Sequence, residues 1–131
     1  MGKTRTSKQQ EKLYNILSNY YGHCELNFPF AQYSLDCVIE INGIRVDVEY
    51  DGWYWHNLNN QPEKDKIRDN ELLKNGYKIL RIKAGRNMPD TEILLKTLEN
   101  LINSKNSYVE IVLPEWVENV VDNLKEREKD C

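Results

Sequence analysis

Along this chain the apolar positions change period several times, and each change marks an element. After Ser7, the residues Leu13, Ile16, Leu17 and Tyr20 recur at helical spacing until Gly22, and Ser7 with Gln10 has the pattern of a capping box. The first element is therefore a helix. Glu25 to Phe30, interrupted by Pro29, reads as a short extended piece suited to a sheet edge. From Tyr33 to Ile41 and from Ile44 to Asp51 the period becomes two, and Asn42-Gly43 between these runs is the strongest short hairpin signal a sequence offers. Pro62 suits the first position of a second helix over Glu63 to Asn75, which Gly76 would close with a left-handed cap. Tyr77 to Lys83 is a strand. A helix follows Pro89 to about Asn103 with Ile93, Leu94, Leu98 and Leu101 inward, then a strand over Tyr108 to Leu113 and a charged helix from Glu115.

This order predicts one α/β domain over residues 1–131: a mixed central sheet flanked by helices, with a core over about 7–83 and a helix-strand-helix extension over about 89–129. The strand-helix-strand unit ending at Lys83 should be a right-handed parallel crossover. Composition agrees, since 131 residues with 40% hydrophobic and 30% charged positions can bury a core without staples. Cys24, Cys37 and Cys131 show no paired spacing, so neither a disulfide framework nor a CxxC zinc site is expected, and a cytoplasmic setting fits. No apolar run approaches membrane-spanning length, so no membrane partner is expected. A net charge of −3 argues against binding polyanions through bulk charge, although Lys3 to Lys12, Lys64 to Arg68 and Arg81 to Arg86 are locally basic.

The hairpin carries the chemistry. If Asn42-Gly43 is a two-residue turn, one face pairs Ile41 with Ile44, Ile39 with Val46, Cys37 with Val48 and Leu35 with Tyr50, which belongs in the core. The other face pairs Glu40 with Arg45, Val38 with Asp47, Asp36 with Glu49 and Ser34 with Asp51. Three carboxylates thus gather at one end. Like charges opposed across a sheet are destabilising, so Asp36, Glu49 and Asp51 need a cation or a raised pKa. Hard oxygen ligands suit Mg²⁺ or Mn²⁺, which polarise phosphate oxygens and acidify bound water. His56 follows the acidic strand end, where a proton-transfer group could stand. Asp65, Arg68 and Asp69 share one helix face, which either returns an acid to the site or forms a surface ion-pair face.

Tyr33-Ser-Leu-Asp36, Val48-Glu-Tyr-Asp-Gly52 with Trp55-His56, Asp65-x-x-Arg68 and Gly76-Tyr-Lys-Ile-Leu-Arg81 together resemble the PD-(D/E)XK nuclease superfamily. The resemblance is to its very short patch repair endonuclease-like branch, which includes mismatch-nicking repair enzymes, small restriction-like nucleases and EDxHD homing endonucleases. It spans most of residues 7 to 83 and implies an αβββαβ core. It implies that Asp36 and Glu49 are metal ligands together with the Tyr50 backbone carbonyl. It also implies that Asp51 replaces the usual lysine, that His56 transfers a proton, and that Asp65 is the downstream acid. The family's first-helix glutamate is represented by Glu11, although helical phase favours the position of Gln10. Residues Asn57 to Gln61 cannot form the zinc site of the mismatch enzymes.

The resemblance makes DNA the expected substrate. Trp53, Tyr54 and Trp55 would stack on or between bases or pack over the sheet edge, and Arg68, Lys83 and Arg86 would meet phosphates or remain surface charges. The expected activity is Mg²⁺- or Mn²⁺-dependent DNA endonuclease, homing or restriction-like. The alternatives are a catalytically inactive nucleic-acid-binding module of the same fold, a mismatch-nicking repair enzyme and a small-substrate phosphoesterase. A homodimer or an added recognition domain is the expected route by which so small a chain reads a long target.

Overall fold

The computed structural model describes residues 7–52 and 61–129. Helix α1 spans Lys8–Tyr21; the Ser7 hydroxyl accepts the Gln10 N–H at 3.0 Å, and Gly22 closes the helix at φ 81°. Only half of the expected capping box forms, because the Gln10 side chain turns inward, where its Nε2 donates to Asn27 Oδ1 and to the Asp36 carbonyl. Leu13 and Leu17 are fully buried, whereas Tyr20 is 58% exposed, so the buried stripe is narrower than the apolar one.

Three strands follow: β1 over Glu25–Phe30, β2 over Tyr33–Ile41 and β3 over Ile44–Gly52. Asn42 and Gly43 both have positive φ, 51° and 80°, as a type I′ turn requires. Helix α2 spans Gln61–Lys74 and ends before Gly76, whose φ of 83° is the expected left-handed cap. Strand β4 runs over Lys78–Ala84, α3 over Thr91–Asn103, β5 over Tyr108–Val112 and α4 over Pro114–Lys129. The Asp90 carboxylate accepts the N–H groups of Glu92 and Ile93, which sets the phase of α3. Leu94, Leu98, Leu101 and Ile102 then face inward, and Ile93, expected inward, is 56% exposed because it lies about 100° off that stripe.

The result is a mixed α/β fold. One five-stranded sheet has the order β1-β2-β3-β4-β5, antiparallel from β1 to β3 and parallel from β3 to β5. One face packs Cys37, Ile39, Val46, Val48, Leu80 and Ile82 against α1 and α3. The other packs Leu35, Val38, Tyr77 and Ile79 against Leu72 of α2. None of the described helices is long and apolar enough to cross a membrane.

The hairpin register holds from Ile41↔Ile44 to Cys37↔Val48, as the turn dictates. Beyond that rung it differs from the expectation. Leu35, expected on the same face as Cys37 and Ile39, sits in the α2-side cluster with Val38, three residues away, so β2 does not alternate strictly between them. Strand β1 behaves alike: Leu26 belongs to the α1 side and Phe28 to the α2 side. Both changes fall between the pairs Leu26↔Cys37 and Phe28↔Leu35, where Asn27 and Asp36 interrupt the pairing and Asn27 has φ 52°. A left-handed residue rotates the following side chains relative to the preceding ones, and asparagine tolerates it better than most. The two strands therefore exchange faces together without losing register.

Candidate active site

Past Val48 the ladder between β2 and β3 ends, while β3 stays paired with β4 as far as Gly52↔Ala84. The two strands form a fork, and Asp36 and Glu49 stand on its two arms. The Asp36 N–H donates to Glu49 Oε2 at 2.6 Å, and the Asp36 carboxylate accepts the Tyr50 N–H at 2.9 Å. Side chains thus replace the backbone bonds that a regular ladder would supply. In an extended strand the N–H and C=O of one residue point to the same side, so the Tyr50 carbonyl also opens on the fork. The Gln10 amide closes the fork from behind, donating to Asn27 Oδ1 at 2.7 Å and to the Asp36 carbonyl at 3.1 Å. It is buried, whereas Glu11 is exposed. The structure does not bring Glu11 to the acids: helical phase gives that place to Gln10, whose side chain can donate where a carboxylate cannot.

On the α2 side of the sheet, Asp47, Glu49 and Asp51 alternate along β3, and Asp65 and Asp69 descend from α2. Asp65, Asp69 and Leu72 are the buried residues of that helix, so its inward stripe is largely acidic. Two arginines enter among these acids. Arg68 reaches Glu49 and Asp65, each at 3.2 Å, and Arg81 from the middle of β4 reaches Asp69 at 2.6 Å and Asp51 at 3.0 Å. Gln61 adds a 2.7 Å bond to Asp65. The pair Asp65 and Arg68 therefore belongs to a buried network rather than to a solvated ion-pair face.

Among the described residues six carboxylates, Asp36, Asp47, Glu49, Asp51, Asp65 and Asp69, gather around two guanidiniums, an excess of four negative charges within that set if all ionise. Burial and then the Glu49 carboxylate push Asp36 well above the ordinary range, against the Tyr50 N–H, which favours its charge. Asp47 is pushed up for the same two reasons. Among the described residues neither of its oxygens has a hydrogen-bond partner, and burial beside the Glu49 carboxylate favours its neutral form. Burial lifts Asp51 to about 6, with Arg81 opposing the rise. Burial works against the charge of Arg81 as well, but its bonds to Asp69 and the charge of Asp51 outweigh it and hold the guanidinium ionised.

Buried, hard, oxygen-only and, among the described residues, richer in acids than in cations, this donor set suits a divalent ion such as Mg²⁺. Among the described residues, no three His, Cys, Asp or Glu side chains are already arranged to hold one, because the two arginines engage the acids. The fit is one of chemistry and charge.

Lys83 lies two residues beyond Arg81, tied to Glu110 at 2.9 Å and set 5.7 Å from the Trp116 ring centre. With Lys66, Tyr108, Asp65, Asp69 and Arg81 it lines a cavity of about 290 Å³ beside the acids. Arg86 is exposed in the loop after β4, its N–H donating to Glu115. His56, Trp53, Tyr54 and Trp55 lie outside the described residues. Asp47 and Arg81 were not among the expected site residues. Each had a signal: Asp47 is two residues before Glu49 on one strand face, and Arg81 interrupts the apolar run of Ile79, Leu80 and Ile82 in the middle of a parallel strand.

No family model matches the chain. No solved structure matches it either. A curated protein named as a poly(ADP-ribose) polymerase-like protein, 100L of Invertebrate iridescent virus 6, is 32% identical over 79 residues, covering 58% of this chain. The chain spans 41% of that relative's length, so the chain is similar to a part of it.

Proposed function

We propose that this chain is a divalent-metal-dependent DNA endonuclease of the PD-(D/E)XK type, homing or restriction-like. The observation that carries the reading is the fork: Asp36 and Glu49 meet where β2 leaves β3, beside an acid excess that two arginines only partly neutralise. Asp36, Glu49 and the Tyr50 carbonyl would hold the ion. Bound there, Mg²⁺ or Mn²⁺ polarises a phosphate oxygen and acidifies a water. Asp51 and Asp65 orient that water or a second ion, while Arg68 and Arg81 hold the acids in place until a cation and a phosphate arrive. His56 moves the proton. Trp53, Tyr54 and Trp55 stack against bases, and Lys83 and Arg86 meet the backbone phosphates.

Plasmid nicking in Mg²⁺ or Mn²⁺ tests this. Cleavage is expected from the wild type and not from Asp36→Ala or Glu49→Ala; equal nicking by all three would overturn the reading. The second reading, a silent DNA-binding module of the same fold, is favoured by one observation: Arg68 already bridges Glu49 and Asp65. Duplex binding with no cleavage in either metal would select it.

A further inference from the structure

Helix α4 lays one side on the sheet and leaves another bare. Trp116 is 8% exposed and anchors it beside Lys83, and Glu115 ties its first turn to the N–H groups of Arg86 and Asn87. Val117, Val121 and Leu124, spaced i, i+4, i+7, are 51%, 43% and 52% exposed, a continuous apolar stripe. At about 100° per residue, Trp116 and Val120 lie on one side of this stripe, toward the protein, and Glu118 and Lys125 on the other. The spacing is that of successive d, a and d positions of a heptad, which makes Glu118 and Lys125 both e positions.

That charge arrangement identifies an occupant. When two such helices pack antiparallel about a two-fold axis near Val121, the e position of one meets an e position of the other. Glu118 then faces Lys125 of the second copy, twice. In a parallel pair each e position faces a g position of the partner instead, and Val120 occupies the g position beside Lys125, so Glu118 and Lys125 do not meet. We infer that the α4 stripe is a self-association surface: two copies of this chain dock α4 against α4, antiparallel, with Val117, Val121 and Leu124 buried and Glu118 paired to Lys125 across the axis.

Sedimentation of the full chain over a range of concentrations tests this. A monomer-dimer equilibrium is expected, abolished by Val121→Glu with an unchanged circular dichroism spectrum, since the residue is exposed in the single chain. Glu118→Lys and Lys125→Glu should each weaken the dimer about fivefold, as two exposed ion pairs are lost. The double variant Glu118→Lys/Lys125→Glu should restore it, because the same pairs re-form reversed. A chain that stays monomeric throughout, a dimer indifferent to Val121→Glu, or a double variant no tighter than the singles would each overturn the proposal.

Discussion

Asp36 and Glu49 are bound to each other through one backbone amide: the Asp36 N–H donates to Glu49 Oε2 at 2.6 Å, while the Asp36 carboxylate secures Tyr50, the residue after Glu49. Each acid thus orients the strand that carries the other. Removing either loosens both arms of the fork, so the effects of Asp36→Asn and Glu49→Gln on cleavage should be strongly non-additive. A double-mutant cycle on plasmid nicking rates measures this, and simple additivity would show that the two acids act independently.

Gln10 should matter for the hydrogens it donates. Both of its partners in the fork, Asn27 Oδ1 and the Asp36 carbonyl, are acceptors. Gln10→Glu is therefore expected to behave no better than Gln10→Ala, each costing about 1–3 kcal/mol of stability and about 10- to 100-fold in metal affinity or activity. Urea unfolding and metal titration read the two effects; a stable, active Gln10→Glu would show that the position wants an acid.

Asp47 offers the opposite outcome. It is wholly buried beside Glu49, with no donor for either oxygen among the described residues. Asp47→Asn brings its own N–H donors toward Glu49 and should stabilise the metal-free protein by about 1–3 kcal/mol. Thermal unfolding at neutral pH in a chelator checks this, and a lower Tm would mean that the carboxylate has a partner it needs.

The pH dependence has a definite sign. Asp51 rises from the usual value near 3.8 to about 6, so between those values the folded protein holds the proton more tightly than the unfolded chain. Stability of the metal-free protein should fall as pH rises through that window, by about 2–3 kcal/mol from this residue, with Asp36 and Asp47 acting in the same direction. Asp51→Asn should flatten the curve. A metal-free stability that climbs from pH 4 to 6 would contradict the burial of these acids.

A divalent cation should reverse that loss. At one hundred times its dissociation constant, Mg²⁺ or Mn²⁺ should stabilise the fold by about 2.7 kcal/mol. The gain should vanish with chelator and in Asp36→Ala. An equal shift of Tm in that variant would place the ion elsewhere.

The hairpin and its acids were legible because Asn42-Gly43 fixes a register from which the meeting of Asp36 and Glu49 follows. The exchange of faces was not, since nothing in an alternating pattern announces that Asn27 will take a positive φ. Leu35 lies on the α2 side for that reason. Helical phase correctly favoured Gln10 over Glu11 at the fork. The arginines were harder to foresee: which cation meets which acid depends on β4 lying next to β3 and on α2 crossing above them, distances that no local spacing encodes. Ile93 points outward because the cap at Asp90 sets the phase of α3, which its apolar letter alone does not reveal.

The left-handed turn of the backbone at Asn27 also divides labour within one ribbon. Leu26, Cys37 and Ile39 on one side of it insulate the interior beneath α1, and Phe28, Phe30, Tyr33 and Leu35 on the other wall the chamber beneath α2. One dihedral angle lets a single hairpin serve two interiors, and the acids gather at the pivot. A residue that resists positive φ there, such as valine, would do more than lose a contact. It would ask four side chains to choose a different inside.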